Sequence, residues 1–312
     1  MSLVKRSMEG KAHIGHLGYS IMALMYRKAV KSVDKKRLKT MKDPANDMVI
    51  TKNIRYSKGS RKYHLLDVYK LKDFPSKGTI FVVHGGGLIY GKKDLNRFSN
   101  MELTRLGYDV VAISYSLAPG KTLFYQVRDC LNALDFVIKN KDKYNLNLNN
   151  LYLFGDSAGG FLNLIIAGLL KNKELMKEFI KYDLNVEING IGLVSPMTYI
   201  ECKGDVRGIQ SRVCISRKEK RLKSYEYLLD PKKFIDKNFN NTIISTSDLD
   251  FIKNHSHDLY NVLKENNVKC ELCDYVSRGI NLEHVFPVTY PRLIESQDFY
   301  SKVDKFFISL KK

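Results

Sequence analysis

With 312 residues, 44% of them hydrophobic, the chain is long enough for one sizeable core and a small appended cap. Its 27% charged and 11% aromatic residues exclude a disordered tail or a fibrous repeat, and 20 glycines and 7 prolines exclude collagen-like or proline-rich architecture. The net charge of +19 is uneven: residues 1–62 hold 16 Lys and Arg against 4 Asp and Glu, residues 200–233 hold 10 against 5, and the remainder holds 26 against 24.

In chain order, the first segment reads as a helical arm covering residues 1–50. Ile14, Leu17, Ile21, Leu24 and Met25 recur at three- and four-residue steps and predict the docking stripe of an amphipathic helix, followed by the basic run Lys35, Lys36, Arg37, Lys39. The uncharged stretch Ala12–Tyr26 is shorter than the ~18–20 residues of a membrane span and lacks a cleavage pattern. From residue 51 to 312 short β-rich runs alternate with helical ones. Strands are predicted at Ile54–Tyr56, Leu65–Leu71, Thr79–His84, Asp109–Tyr115, Asn150–Phe154, Gly190–Ser195, Thr242–Thr246 and Lys269–Val276. Helices are predicted at Asn96–Leu106, Phe124–Lys141, Gly160–Lys171, Ile252–Asn266 and Pro291–Leu310. The alternation predicts an α/β fold with a mostly parallel, doubly wound sheet of about eight strands. The first two strands form an antiparallel edge, and the basic stretch of about 197–237 is an insertion that caps the site together with the arm. Cys130, Cys202, Cys214, Cys270 and Cys273 are too few for a disulfide framework and suit a reducing, cytoplasmic compartment. Cys270 and Cys273, three apart on a strand, point to opposite faces.

Two motifs sit at strand ends. His84-Gly85-Gly86-Gly87 follows the third strand, and Gly155-Asp156-Ser157-Ala158-Gly159-Gly160 follows the fifth and opens an apolar helix. Gly155-x-Ser157-x-Gly159 in a strand–turn–helix setting is a nucleophile elbow, where a serine raised above the sheet demands a strained turn with no side chains in the way. The glycine-rich turn upstream stands where further oxyanion donors belong.

These motifs, with Leu66-Asp67-Val68-Tyr69, Tyr115-Ser116-Leu117-Ala118-Pro119 and the segment around His284, resemble the hormone-sensitive-lipase-like esterases and lipases of the α/β-hydrolase superfamily across roughly residues 53–312. The family has arginine and glutamate where Ser116 and Gly120 stand here, a departure in the loop beside the site. The resemblance implies an α/β-hydrolase fold and a serine carboxylic-ester hydrolase acting on short-chain acyl esters through an acyl-enzyme. Ser157 is then the nucleophile, and its partners follow in the order acid, histidine. His284, in a loop after the last strand and two residues before Phe286, is the base. Asp248 and Asp250 both follow the seventh strand, and Asp250-Phe251-Ile252 fits the aspartate-x-aliphatic pattern, so Asp250 is preferred. Backbone N–H groups of Gly86, Gly87 and Ala158 form the oxyanion hole, supported by His84, Gly85, Gly155, Asp156 and Gly159, with His84 bracing its turn.

No metal or organic cofactor is implied. His13-x-x-His16 has chelating spacing with no accompanying ligand, and His255-x-His257 is expected on a solvated helix face. The partners expected are a small-molecule ester, no nucleic acid, and a weak contact of the basic arm with an anionic membrane surface. Two other activities use the same residues: amide or peptide hydrolysis, and membrane-associated lipase action. A scaffold that had lost activity is disfavoured by the presence of both serine and histidine.

Overall fold

Runs such as Ile80-Phe81-Val82-Val83 and Val110-Val111-Ala112-Ile113 have no polar side to offer water, so they require cover on both faces. The computed structural model, which describes residues 3–59, 62–200 and 212–311, with side chains of the first helix from Gly18 onward, supplies that cover. Its strands are β1 (Met48–Arg55), β2 (Leu65–Leu71), β3 (Thr79–Val83), β4 (Asp109–Ile113), β5 (Leu151–Asp156), β6 (Gly190–Val194), β7 (Thr242–Ser247) and β8 (Cys270–Tyr275). They form one eight-stranded sheet in the order β1-β2-β4-β3-β5-β6-β7-β8. β1, β2 and β4 pair antiparallel and all later pairs are parallel. This is the expected α/β-hydrolase architecture.

β1 begins six residues before the expected Ile54. A register break between Thr51 and Ile54, with Asn53 at φ 60° and its N–H on Asp67 Oδ1 at 2.7 Å, breaks the alternation that would have revealed it.

Side chains alternate between two cores. On one face, Phe81, Val83, Val111, Ile113, Leu153, Leu193 and Ile244 pack with α3 (Leu123–Lys139), α4 (Ala158–Lys171) and α5 (Lys253–Glu265). On the other, Ile80, Val82, Val110, Tyr152, Phe154 and Ile243 pack with α2 (Arg97–Arg105) and α6 (Ile294–Ile308), where Phe307 stacks on Tyr152 at 4.1 Å. Cys270 and Cys273 contact opposite cores, and the four described cysteines are free; Cys202 lies outside the described residues.

The arm is a single helix, α1 (Leu3–Thr40). It docks on a different face from the one its apolar stripe predicts. Ala23 is buried in the first core and Arg27 donates to the carbonyls of Ile89 (2.7 Å) and Ala118, while Arg97 donates to Leu38 O at 2.9 Å. Ile21, Leu24 and Met25 face outward; Ile14, Leu17, His13 and His16 precede the described side chains. The docking surface of the body offers carbonyls and a shallow apolar contact, which a small residue and an arginine satisfy better than branched side chains. Of the insertion, Phe234 lies against Gly168 of α4 and Glu219 accepts from Phe124 N–H at 2.9 Å, so residues 212–237 pack on the body; residues 201–211 lie outside the description. Among the described residues no helix is long and apolar enough to cross a membrane.

Candidate active site

The site grows from the end of β5. Gly155 and Asp156 complete the strand, Ala158 opens α4, and Ser157 between them adopts φ 47°, ψ −117°. A non-glycine residue there is strained by about 1–3 kcal/mol, and its surroundings hold it in place: Ser157 N–H donates to Val194 O at 2.9 Å, and Ser157 O accepts from Met197 N–H at 3.1 Å. Gly159 is required by proximity, since a Cβ would stand 2.0 Å from Val83 O.

Ser157 Oγ lies 3.0 Å from His284 Nε2, and His284 Nδ1 lies 2.7 Å from Asp250 Oδ1. The network assigns the tautomer: Nδ1–H donates to the carboxylate, leaving Nε2 to accept the serine hydroxyl. Asp250 Oδ1 also accepts from Ile252 N–H (3.0 Å) and Oδ2 from Thr246 Oγ–H (3.0 Å). Burial alone would raise the Asp250 carboxyl, but the hydrogen bond and charge of His284, helped by Ser195 and the Ile252 N–H, hold it below the ordinary carboxylate value. Asp248 instead accepts from Ser277 N–H at 2.9 Å on the exposed side of the β8 end, away from the imidazole.

The glycine turn meets the elbow through Asp156, whose Oδ1 accepts from Gly85 N–H (2.9 Å) and Asn96 Nδ2 (2.6 Å). Burial pushes this carboxyl above the ordinary value against those two donors. Gly86 and Gly87, at φ 109° and 62°, line the same cavity as Ser157 and His284, and Ala158 is the first helical residue, whose N–H has no intrahelical acceptor. His84 is buried, donates Nδ1–H to Gly85 O at 2.7 Å and stacks on Tyr115 at 4.4 Å; burial lowers its pKa to about 4, so the ring is neutral. Tyr115 in turn donates to His84 O at 2.9 Å. At the departure from the family pattern, Ser116 N–H donates to Asp129 Oδ2 (2.9 Å) and Asp129 pairs with His64 (3.1 Å), so a local carboxylate anchors this loop.

The cavity holds about 450 Å³. Its roof is α1, through Ala23, Tyr26, Val30, Asp34 and Arg37; its walls include Ile89, Tyr90, Met197, Tyr199 and Phe251. Arg37 bridges Asp34 (2.9 Å) to Thr289 O (3.1 Å), tying roof to floor. His255 overturns the solvated-face expectation: it is buried, accepts from Thr198 N–H at Nδ1 (3.0 Å), stacks on Tyr199 at 4.1 Å and lines the cavity. His257 is exposed and pairs with Asp274 at 3.0 Å.

A model of the BD-FAE family matches residues 66–263. This chain is a member of the BD-FAE family. The match begins in β2 and ends in α5, so it contains the glycine turn, the elbow and Asp250, and the hormone-sensitive-lipase-like resemblance holds at the level of family and fold. Among relatives of this BD-FAE member, the acetyl esterase of Salmonella paratyphi B is 31% identical over 101 residues, 32% of this chain and 31% of that protein. An alpha/beta hydrolase of Acanthamoeba polyphaga mimivirus is 34% identical over 96 residues, 30% of this chain and 28% of its own. The alignments thus cover less than a third of the length of either relative. Two solved structures share the fold: esterase B from Lactobacillus rhamnosis (TM-score 0.86, 21% identity, 96% of each chain) and the Pyrobaculum calidifontis esterase (TM-score 0.73, 19% identity, 99% of this chain and 98% of that one).

Three contributors carry no sequence signal. Lys93 and Asn96 belong to a short, polar 3-10 turn, yet Asn96 holds Asp156 and Lys93 pairs with the fully buried Asp67 at 2.9 Å. Val285, at φ 58°, sets the turn behind His284 with its N–H on Ser195 Oγ at 3.2 Å. Asp67 alone could have been found, as the charged residue within an apolar strand.

Proposed function

We propose that this chain is a serine carboxylic-ester hydrolase acting on short-chain acyl esters. The observation that carries the reading is the continuous hydrogen-bonded path from Ser157 Oγ through His284 to Asp250, opening into an apolar cavity. Serine is a poor nucleophile at neutral pH, and His284 Nε2 within contact of Oγ is the base that activates it. Oγ attacks the ester carbonyl carbon while its proton passes to Nε2, and negative charge develops on the carbonyl oxygen. The N–H groups of Gly86, Gly87 and Ala158 receive that charge, each donor typically supplying about 3 kcal/mol in such chemistry. Collapse expels the alcohol, which takes the proton from Nε2. Water then loses a proton to Nε2 and attacks the acyl-enzyme; the acid leaves and the serine regains its hydrogen. Asp250, ionised and hydrogen-bonded, keeps the ring in the tautomer both half-reactions need.

The short acyl preference draws on the acetyl esterase among the relatives and on the roof that closes the cavity with Tyr26 and Val30. An alkyl phosphonate should add its mass to the peptide bearing Ser157, and Ser157→Ala should lose both labelling and turnover of p-nitrophenyl acetate by at least about a thousandfold. A p-nitrophenyl series should peak at two to four acyl carbons. Retained turnover in Ser157→Ala, or faster turnover of aminoacyl anilides than of esters, would overturn the reading.

A further inference from the structure

Seen down its axis, α1 has three longitudinal strips. Ala23, Arg27, Val30, Asp34 and Arg37 face the body. Met22, Met25, Ala29 and Val33, at three- and four-residue steps, run beside Tyr26, which itself lines the cavity. This second strip is open to solvent, Met25 being 67% and Val33 66% exposed; Ile21 widens it at one end, and the exposed Leu24 lies among the lysines of the third strip. Lys28, Lys31, Lys35 and Lys39 occupy the third strip and Lys36 stands in line with Ala29 and Val33; all five are exposed and none is paired with a described carboxylate. Across the cavity mouth stands Phe251, 75% exposed and 4.4 Å from the His284 ring.

An amphipathic helix ordinarily buries its large apolar side chains and leaves small ones outside. Here a small residue and arginines dock, while methionines, valine and leucine face water along the rim of a cavity lined mostly by apolar side chains. Contiguous exposed apolar surface bordered by lysines matches one kind of surface, an anionic lipid–water interface, where apolar side chains enter the acyl boundary and ammonium groups meet headgroup phosphates. Charge complementarity selects this occupant over a neutral apolar partner, because Lys28, Lys31, Lys35, Lys36 and Lys39, none paired with a described carboxylate, are all exposed.

We propose that the outward face of α1 is an interfacial docking surface for anionic membranes, placing the cavity mouth at the lipid boundary, where esters with apolar tails collect. Binding through this face needs no catalytic step, so it stands or falls separately from the hydrolase reading.

The full chain should be sedimented with phosphatidylcholine vesicles and with vesicles containing 30% phosphatidylserine. Binding is expected to the second kind only, and to fall at least tenfold between 50 and 500 mM salt. Met25→Asp combined with Val33→Asp, and separately Lys31→Gln combined with Lys35→Gln, should each lower anionic-vesicle affinity by roughly tenfold or more. Neither pair touches the cavity, so helical circular dichroism and turnover of soluble p-nitrophenyl acetate should match the parent, which separates loss of docking from loss of fold. Absence of vesicle binding, equal binding to both vesicle types, or unchanged affinity in the folded double variants overturns the proposal. So does a chain that ignores vesicles and sediments as a dimer broken by the Met25/Val33 pair, which assigns the face to a second copy.

Discussion

Asp250 and His84 show how burial, which disfavours charge on both, is overcome at one by a hydrogen-bonding partner and prevails at the other. Asp250 stays ionised because His284 donates to it, so Asp250→Asn replaces an acceptor with an amide that favours the wrong imidazole tautomer. Turnover of p-nitrophenyl acetate should drop by roughly 10³–10⁴-fold with little change in thermal midpoint, since the isosteric amide keeps its packing; a drop under tenfold would detach Asp250 from the chemistry. His84 is held neutral by burial at a pKa of about 4. Between pH about 6.5 and about 4 the unfolded chain takes up a proton that the folded chain refuses, so stability falls as pH drops through that window and levels off below it. The contribution is about 3 kcal/mol at full extent, read as the pH dependence of the urea midpoint. His84→Phe, which retains the stack on Tyr115, should flatten that slope while costing a modest amount at neutral pH. At this scale the motif residues were legible because a strained serine and a crowded turn tolerate few residue types. Asn96, Lys93 and Val285 were not, because their roles depend on what the chain brings near them, and a short polar turn or a single valine has no pattern to betray it.

Among the elements, the strands and the helices between them were readable because burial on two faces forces continuous apolar runs, with boundaries off by a residue or two at most of them. β1 was shortened because a bulge breaks period-two alternation. α1 is a helix, as its periodicity implies, but the apolar stripe does not mark its docking face: docking here is made by Arg27 reaching two carbonyls and by the fully buried Ala23. The same error of scale made His255 a surface residue, since only the fold brings Thr198 and Tyr199 against that turn of α5. The roof can be tested through its clamp. Arg27→Met keeps the aliphatic stem and leaves the carbonyls of Ile89 and Ala118 without their donor, at about 1–3 kcal/mol directed at roof docking. KM for p-nitrophenyl butyrate should rise several-fold while kcat changes less than threefold; an unchanged KM would mean that the roof contributes nothing to substrate binding.

For the molecule as a whole, the excess charge lies in the arm and the insertion, and the fold carries the basic residues between Arg27 and Lys39 on the helix that roofs the cavity. Lysines on α1 therefore raise the local concentration of anionic solutes near the mouth, an effect that reaches about 30 Å at 10 mM salt and about 8 Å at 150 mM. Long-range attraction of this kind acts on encounter and leaves the bond-breaking step proposed at Ser157 untouched. kcat/KM for a p-nitrophenyl hemisuccinate, which is anionic, should fall several-fold between 10 and 150 mM salt, while kcat/KM for the neutral acetate stays within twofold and kcat for both is flat. Replacing Lys35, Lys36 and Lys39 with glutamine should remove most of that difference, since these side chains are exposed and unpaired with described carboxylates. If the two esters respond alike to salt, the charge over the cavity serves solubility or surface binding and has no part in bringing substrate to the serine.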